Sequence, residues 1–84
     1  MGYKIRYKSS VRRDLKNLDK SVVMRILESI EKNLSENPYI GKPLTGKYKG
    51  LYKYRVGKYR VIYTIRGDEV WILKIGHRKH VYRS

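Results

Sequence analysis

The stretch Leu51-Tyr52-Lys53-Tyr54-Arg55-Val56-Gly57-Lys58-Tyr59-Arg60-Val61-Ile62-Tyr63 decides the fold. Two runs rich in tyrosine and β-branched residues flank Gly57-Lys58, the pattern of a hairpin whose two-residue turn takes a positive φ at glycine. Such a turn fixes the register: Val56 faces Tyr59, Arg55 faces Arg60 and Tyr54 faces Val61. Side chains alternate across a strand, so a face that buries Tyr54, Val61, Tyr63 and Ile65 puts Lys53, Arg55 and Arg60 together on the other. Arg55 and Arg60 then become direct cross-strand neighbours, and like charges in that position destabilise a sheet. A sequence shaped by stability alone has no reason to place them so.

Working outward, Val70 to Gly76 reads as a third strand. A two-residue Gly67-Asp68 loop would turn Lys74 toward the core, where an unpaired charge is costly. A three-residue loop, Gly67-Asp68-Glu69, instead buries Trp71, Leu73 and Ile75 and turns Lys74 outward, and this is the expected register. Continued without a bulge, the strand carries Arg78 to the exposed face and His77 to the buried one. Toward the N-terminus, Tyr3 to Lys8 alternates apolar and basic residues as a half-buried strand does. Ser9 and Ser10 offer an N-cap to a short helix carrying Val11, Leu15 and Leu18. Asp19 or Ser21 can cap a second, whose stripe is Val23, Ile26, Leu27, Ile30 and Leu34. Asn37-Pro38 ends it, because the residue before proline avoids the helical region. Residues 38–49, with Gly41, Pro43 and Gly46, read as a loop.

The expected architecture is α+β: a two-layer sandwich in the order strand-helix-helix-strand-strand-strand. Its sheet is mostly antiparallel with a helical hairpin on one face, and residues 1–84 form one domain. The chain has no cysteine, no apolar run suited to a signal peptide and no segment long enough to span a bilayer, which reads as a cytoplasmic protein.

Twenty-one Lys and Arg against seven Asp and Glu leave a formal net charge of +14. The excess is lopsided. Residues 42–84 hold twelve basic residues and two acids, whereas residues 1–41 hold nine and five. This imbalance calls for a polyanionic partner: nucleic acid, an acidic protein, or both in turn.

The chemistry available to such a face is narrow. No carboxylate lies between Glu36 and Asp68, which removes a paired-acid mechanism, and neither a phosphate-binding glycine loop nor a metal-ligand set is present. No cofactor or metal is called for. What remains suits RNA, which brings its own nucleophile, the 2′-hydroxyl. Guanidinium groups grip a phosphate bidentately and stabilise the charge of a pentacoordinate phosphorane, while tyrosines offer surfaces on which unpaired bases stack. Lys53, His77 and His80 are the candidates for accepting the proton. Lys47, Lys49, Lys58, Lys74, His77 and Lys79 are candidates for attracting the RNA backbone.

The hairpin quoted above, together with Ile75-Gly76-His77-Arg78-Lys79-His80-Val81-Tyr82, resembles the RelE/ParE toxin superfamily, and the preceding strand-helix-helix order agrees with it. The resemblance implies a toxin of a type II toxin-antitoxin module. In the RelE-like branch it implies a ribosome-dependent endoribonuclease that cuts mRNA in the A site by 2′-hydroxyl attack and so stops translation. The site it implies is Lys53 as general base, Arg60 stabilising the phosphate, Arg78 assisting the leaving oxygen and Tyr82 orienting the base. Arg55 occupies a position where the family often has a second lysine, and arginine is no substitute for lysine in proton transfer. The implied partners are an acidic RelB-like antitoxin, the ribosome and mRNA. A ParE-like inhibitor of DNA gyrase on the same fold and a non-catalytic RNA-binding domain are the competing readings.

Overall fold

The computed structural model describes residues 2–77. Its elements are β1 (Lys4–Tyr7), α1 (Ser9–Lys16), α2 (Lys20–Ser29), β2 (Lys42–Pro43), β3 (Tyr52–Val56), β4 (Tyr59–Arg66) and β5 (Glu69–His77). The five strands form one sheet in the order β1-β5-β4-β3-β2. All neighbours run antiparallel except β1 and β5. The α+β architecture read from the sequence is therefore the observed one.

Helix α1 begins one residue earlier than expected, with Lys8 rather than a serine at the N-cap. Asp19 precedes α2 as expected, without a side-chain capping bond. A wider, π-helical turn, Ile30–Leu34, continues α2 and keeps Ile30 and Leu34 on its buried side. Ile26, Ile30 and Leu34 pack with Val11 against Val56, Val61, Tyr63, Val70, Ile72 and Ile75 of the sheet. This single apolar layer between helices and sheet is what a chain this short can bury. β5 outruns β1, and α1 covers the edge left over: the Asp14 carboxylate accepts from the Ile75 N–H at 3.2 Å.

Two features depart from the sequence reading. First, residues 38–49 are not all loop. Lys42 and Pro43 pair with Lys53 and Tyr52 as a short edge strand, a place in a sheet where proline is tolerated. Second, the β4–β5 turn is the two-residue Gly67-Asp68, with Arg66 opposite Glu69. Gly57 and Gly67 each open a turn at positive φ, 60° and 58°, as type II′ turns require. Lys74 escapes the core by another route, a bulge. Tyr63 pairs with Ile72 and Ile62 with Lys74, so Leu73 is the extra residue. The insertion flips the alternation, which buries Val70, Ile72 and Ile75 but leaves Trp71 and Leu73 only partly buried. The expected burial of Trp71 and Leu73 is thus overturned, while Ile75 and Lys74 face as anticipated.

Candidate functional site

The β3–β4 register is the one the Gly57-Lys58 turn imposes: Val56 opposite Tyr59, Arg55 opposite Arg60, Tyr54 opposite Val61. Tyr54 and Tyr63 are held on the helix side. The Tyr54 hydroxyl shares a 2.6 Å hydrogen bond with Ser29 and accepts from Asn33 Nδ2 at 2.8 Å. The Tyr63 hydroxyl donates to the Pro38 carbonyl at 2.6 Å and accepts from the Gly41 N–H at 3.1 Å. With these two tyrosines fixed, alternation sends Lys53, Arg55 and Arg60 to the uncovered face.

Two rows of cations lie there. Lys42, Lys53 and Lys74 stand in one row across four strands, with Ile62 between the last two. Arg55 and Arg60 form the next row beside Gly76, whose lack of a side chain leaves that end open. Directly opposed Cβ atoms in a sheet lie about 5 Å apart, so both guanidiniums can reach one phosphate. Ile62 is almost buried at 6 % exposure, although it is on the outer face. Its cross-strand neighbours Lys53 and Lys74 are each partly buried, as lysine stems beside an apolar side chain commonly are. None of these five cations pairs with a carboxylate among the described residues.

Arg60 carries a further feature. Its Nε is buried and has no hydrogen-bond partner among the described residues. An unsatisfied buried donor costs about 1–3 kcal/mol, and an anionic oxygen docking on it would recover that cost. Ile40, Gly41, Lys42, Lys53, Tyr54, Arg55 and Arg60 line a depression of about 340 Å³ at this point. A larger groove of about 670 Å³, walled by Tyr7, Val11, Leu15 and Leu27, lies against the helices instead. Tyr7 and Glu31, on its wall, are tied up in a 2.6 Å hydrogen bond, and burial together with that bond pushes the Tyr7 hydroxyl up.

The remaining expected residues scatter. Lys58 is exposed in the hairpin turn and Lys47 is exposed with its ammonium 5.2 Å from the centre of the Tyr48 ring. Lys49 is exposed below the rows, at a second cleft that Trp71 walls. His77 pairs with Tyr59 across the strands and meets its ring edge-on at 5.8 Å, on the helix side and away from the cations. Arg78, Lys79, His80 and Tyr82 lie outside the described residues. Lys42 was absent from the sequence reading. Its signal was Pro43, which biases the preceding residue to extended backbone.

Known proteins share this fold. The family model described as the ParE toxin of the type II toxin-antitoxin system parDE matches residues 5–82. Toxin RelG of Mycobacterium tuberculosis is 35 % identical over 99 % of both chains. Toxin RelE of the same organism is 33 % identical over 96 % of this chain and 87 % of its own. Among solved structures, the toxin-antitoxin complex RelBE2 of M. tuberculosis holds a chain that superposes with a TM-score of 0.87 at 33 % identity, covering 93 % of this chain and 100 % of that one. The chain belongs to the RelE/ParE superfamily of type II toxin-antitoxin toxins.

Proposed function

We propose that this toxin is a cytoplasmic, ribosome-dependent endoribonuclease that cuts mRNA in the A site and is neutralised by an acidic RelB-like antitoxin. The observation that carries the reading is the double row of cations, none paired with a carboxylate among the described residues, around the buried Arg60 Nε that has no hydrogen-bond partner among them. The two curated relatives named as RelG and RelE toxins support this branch. The solved relative in complex with its antitoxin supports the partner, as does a net charge of +14.

In this mechanism Arg55 and Arg60 clamp the scissile phosphate and neutralise the extra charge of the phosphorane. Lys53 stands as the general base that takes the 2′-hydroxyl proton as the 2′-oxygen bonds to phosphorus. The bond from phosphorus to the 5′-oxygen breaks, leaving a 2′,3′-cyclic phosphate. The departing 5′-oxygen takes a proton from water, with Arg78 assisting and Tyr82 stacking the neighbouring base. Lys47, Lys49, Lys58, Lys74 and Lys79 draw in the backbone. The RNA supplies both nucleophile and leaving group and water supplies the proton, so the reaction calls for no cofactor.

The family model carries the ParE name, so the second reading is a gyrase poison that leaves RNA intact. Expression of the toxin followed by mapping of RNA ends on translated messages separates the two. Cuts within codons, lost in Arg60→Ala, are the expected result. Growth arrest with induction of the DNA-damage response and no new RNA ends would replace the nuclease reading with the gyrase one.

A further inference from the structure

We propose that the cleft beside Trp71 is a second nucleobase subsite, seating an unpaired RNA base next to the nucleotides held at the cation rows. The proposal rests on the RNA reading above and extends it along the same face.

The cleft, about 480 Å³, is lined by Lys8, Lys49, Gly50, Leu51, Thr64, Arg66, Trp71 and Leu73. Trp71 sits opposite Thr64, two residues along β4 from Ile62 and four from Arg60. At about 3.4 Å per residue Trp71 has its backbone position roughly 7 Å from the lysine row and 14 Å from the arginine row. It is also the chain's one tryptophan, and the bulge at Leu73 holds it on the outer face when the core would otherwise gain most from it. Its polar edge is already committed. The indole N–H donates to Glu69 at 3.0 Å, and the other oxygen of that carboxylate takes the Arg6 Nε at 3.1 Å. These two bonds hold the Glu69 carboxyl below its ordinary range. With its N–H satisfied, the ring has only its aromatic surface left to offer, which any base can stack on. The surroundings fit a nucleotide better than an apolar lid: Lys8, Lys49 and Arg66 rim the cleft with positive charge, and the nearby acid, Glu69, is neutralised by Arg6. The same cations continue the rows above, so one strand of RNA can follow them without crossing a negative patch.

A single tryptophan makes the test direct. A short single-stranded RNA, 2′-O-methylated throughout so that it cannot be cut, is titrated into the free toxin. Binding is read by anisotropy and Trp71 emission in parallel. Emission should fall about twofold on saturation. Trp71→Ala should weaken binding about tenfold, Trp71→Phe should recover most of it, and an abasic substitution in the RNA should lose affinity against wild type but not against Trp71→Ala. RNA that binds in an Arg60-dependent way, with unchanged emission and equal affinity in Trp71→Ala, would overturn the subsite and leave the nuclease reading standing. Absence of any RNA binding by the free toxin would overturn the subsite, while loss of codon cuts on translated messages is what would overturn the nuclease reading. Quenching by an acidic antitoxin peptide but not by RNA would reassign the cleft to protein recognition.

Discussion

Gly41 lies against the Tyr63 hydroxyl so closely that no side chain fits between them. A Cβ built on Gly41 would overlap that hydroxyl, come within 2.8 Å of the ring carbon bearing it and within 2.9 Å of the Lys53 carbonyl. The backbone there is ordinary, at φ −72°, so space and not conformation demands glycine. This contact seats the 38–43 segment against the sheet and sets Lys42 beside Lys53. Gly41→Ala should destabilise the toxin by about 1–3 kcal/mol and should weaken RNA binding as β2 is pushed off β3. Chemical denaturation and anisotropy check the two halves. Unchanged values in both would show that the segment does not position Lys42.

The same hydroxyl predicts an alkaline limit. Burial pushes the Tyr63 hydroxyl up to about 12, whereas in the unfolded chain it titrates near 10. Above pH 10 the unfolded chain releases this proton first. The proton is worth most to the folded state below that pH, and its contribution is lost as pH climbs from about 10 to 12. Tyr7 titrates in the same direction. Stability should therefore decline over that window by up to roughly 2 kcal/mol from Tyr63. Tyr63→Phe starts lower, because it strands the buried Gly41 N–H, but should show a shallower decline. Parallel pH profiles for the two proteins would refute the assignment.

How legible was this face in the sequence? The Arg55–Arg60 pairing followed from Gly57-Lys58 alone, because turn length and register are one constraint in a hairpin. The turn at Gly67-Asp68 carries an equally plain local signal. The longer loop outranks it in the sequence only because the shorter one sends Lys74 to the core, an inference that assumes an uninterrupted ladder. The bulge at Leu73 broke the assumption, and bulges answer to packing across the whole sheet, which no local pattern encodes. Trp71 was misplaced for the same reason. Lys42 was missed because a two-residue edge strand has too few side chains to show a period, and its pairing depends on the distant contact of Gly41 with Tyr63.

The Arg55–Arg60 pair sets stability against function. If repulsion between them costs the fold something, relieving it should stabilise. Arg55→Thr removes one charge and supplies a residue suited to a pleated surface. It should raise stability by about 0.5 kcal/mol while weakening RNA binding and cleavage. Thermal or chemical denaturation at low salt is the measurement, since salt screens the repulsion. A loss of stability in Arg55→Thr would mean that the guanidinium contributes packing that outweighs its charge.

Salt dependence tests whether the cation rows act as one footprint. Each phosphate neutralised on single-stranded RNA contributes about −0.7 to the slope of log K against log salt. If Lys42, Lys53, Arg55, Arg60 and Lys74 all contact phosphates, the slope should be about −3.5, with added steepness if the Trp71 cleft cations engage. Alanine at any one of the five should flatten it by about 0.7. Arg25, exposed on α2 and behind the sheet, should leave the slope untouched when replaced, although Arg25→Ala lowers the net charge by the same amount. That contrast separates a localised site from general attraction by a highly charged molecule, because steering by net charge responds to any lost cation, whereas counterion release responds only to those in contact. Equal flattening by Arg25→Ala and Arg60→Ala would remove the localised footprint, and with it the physical basis for holding a scissile phosphate at Arg55 and Arg60.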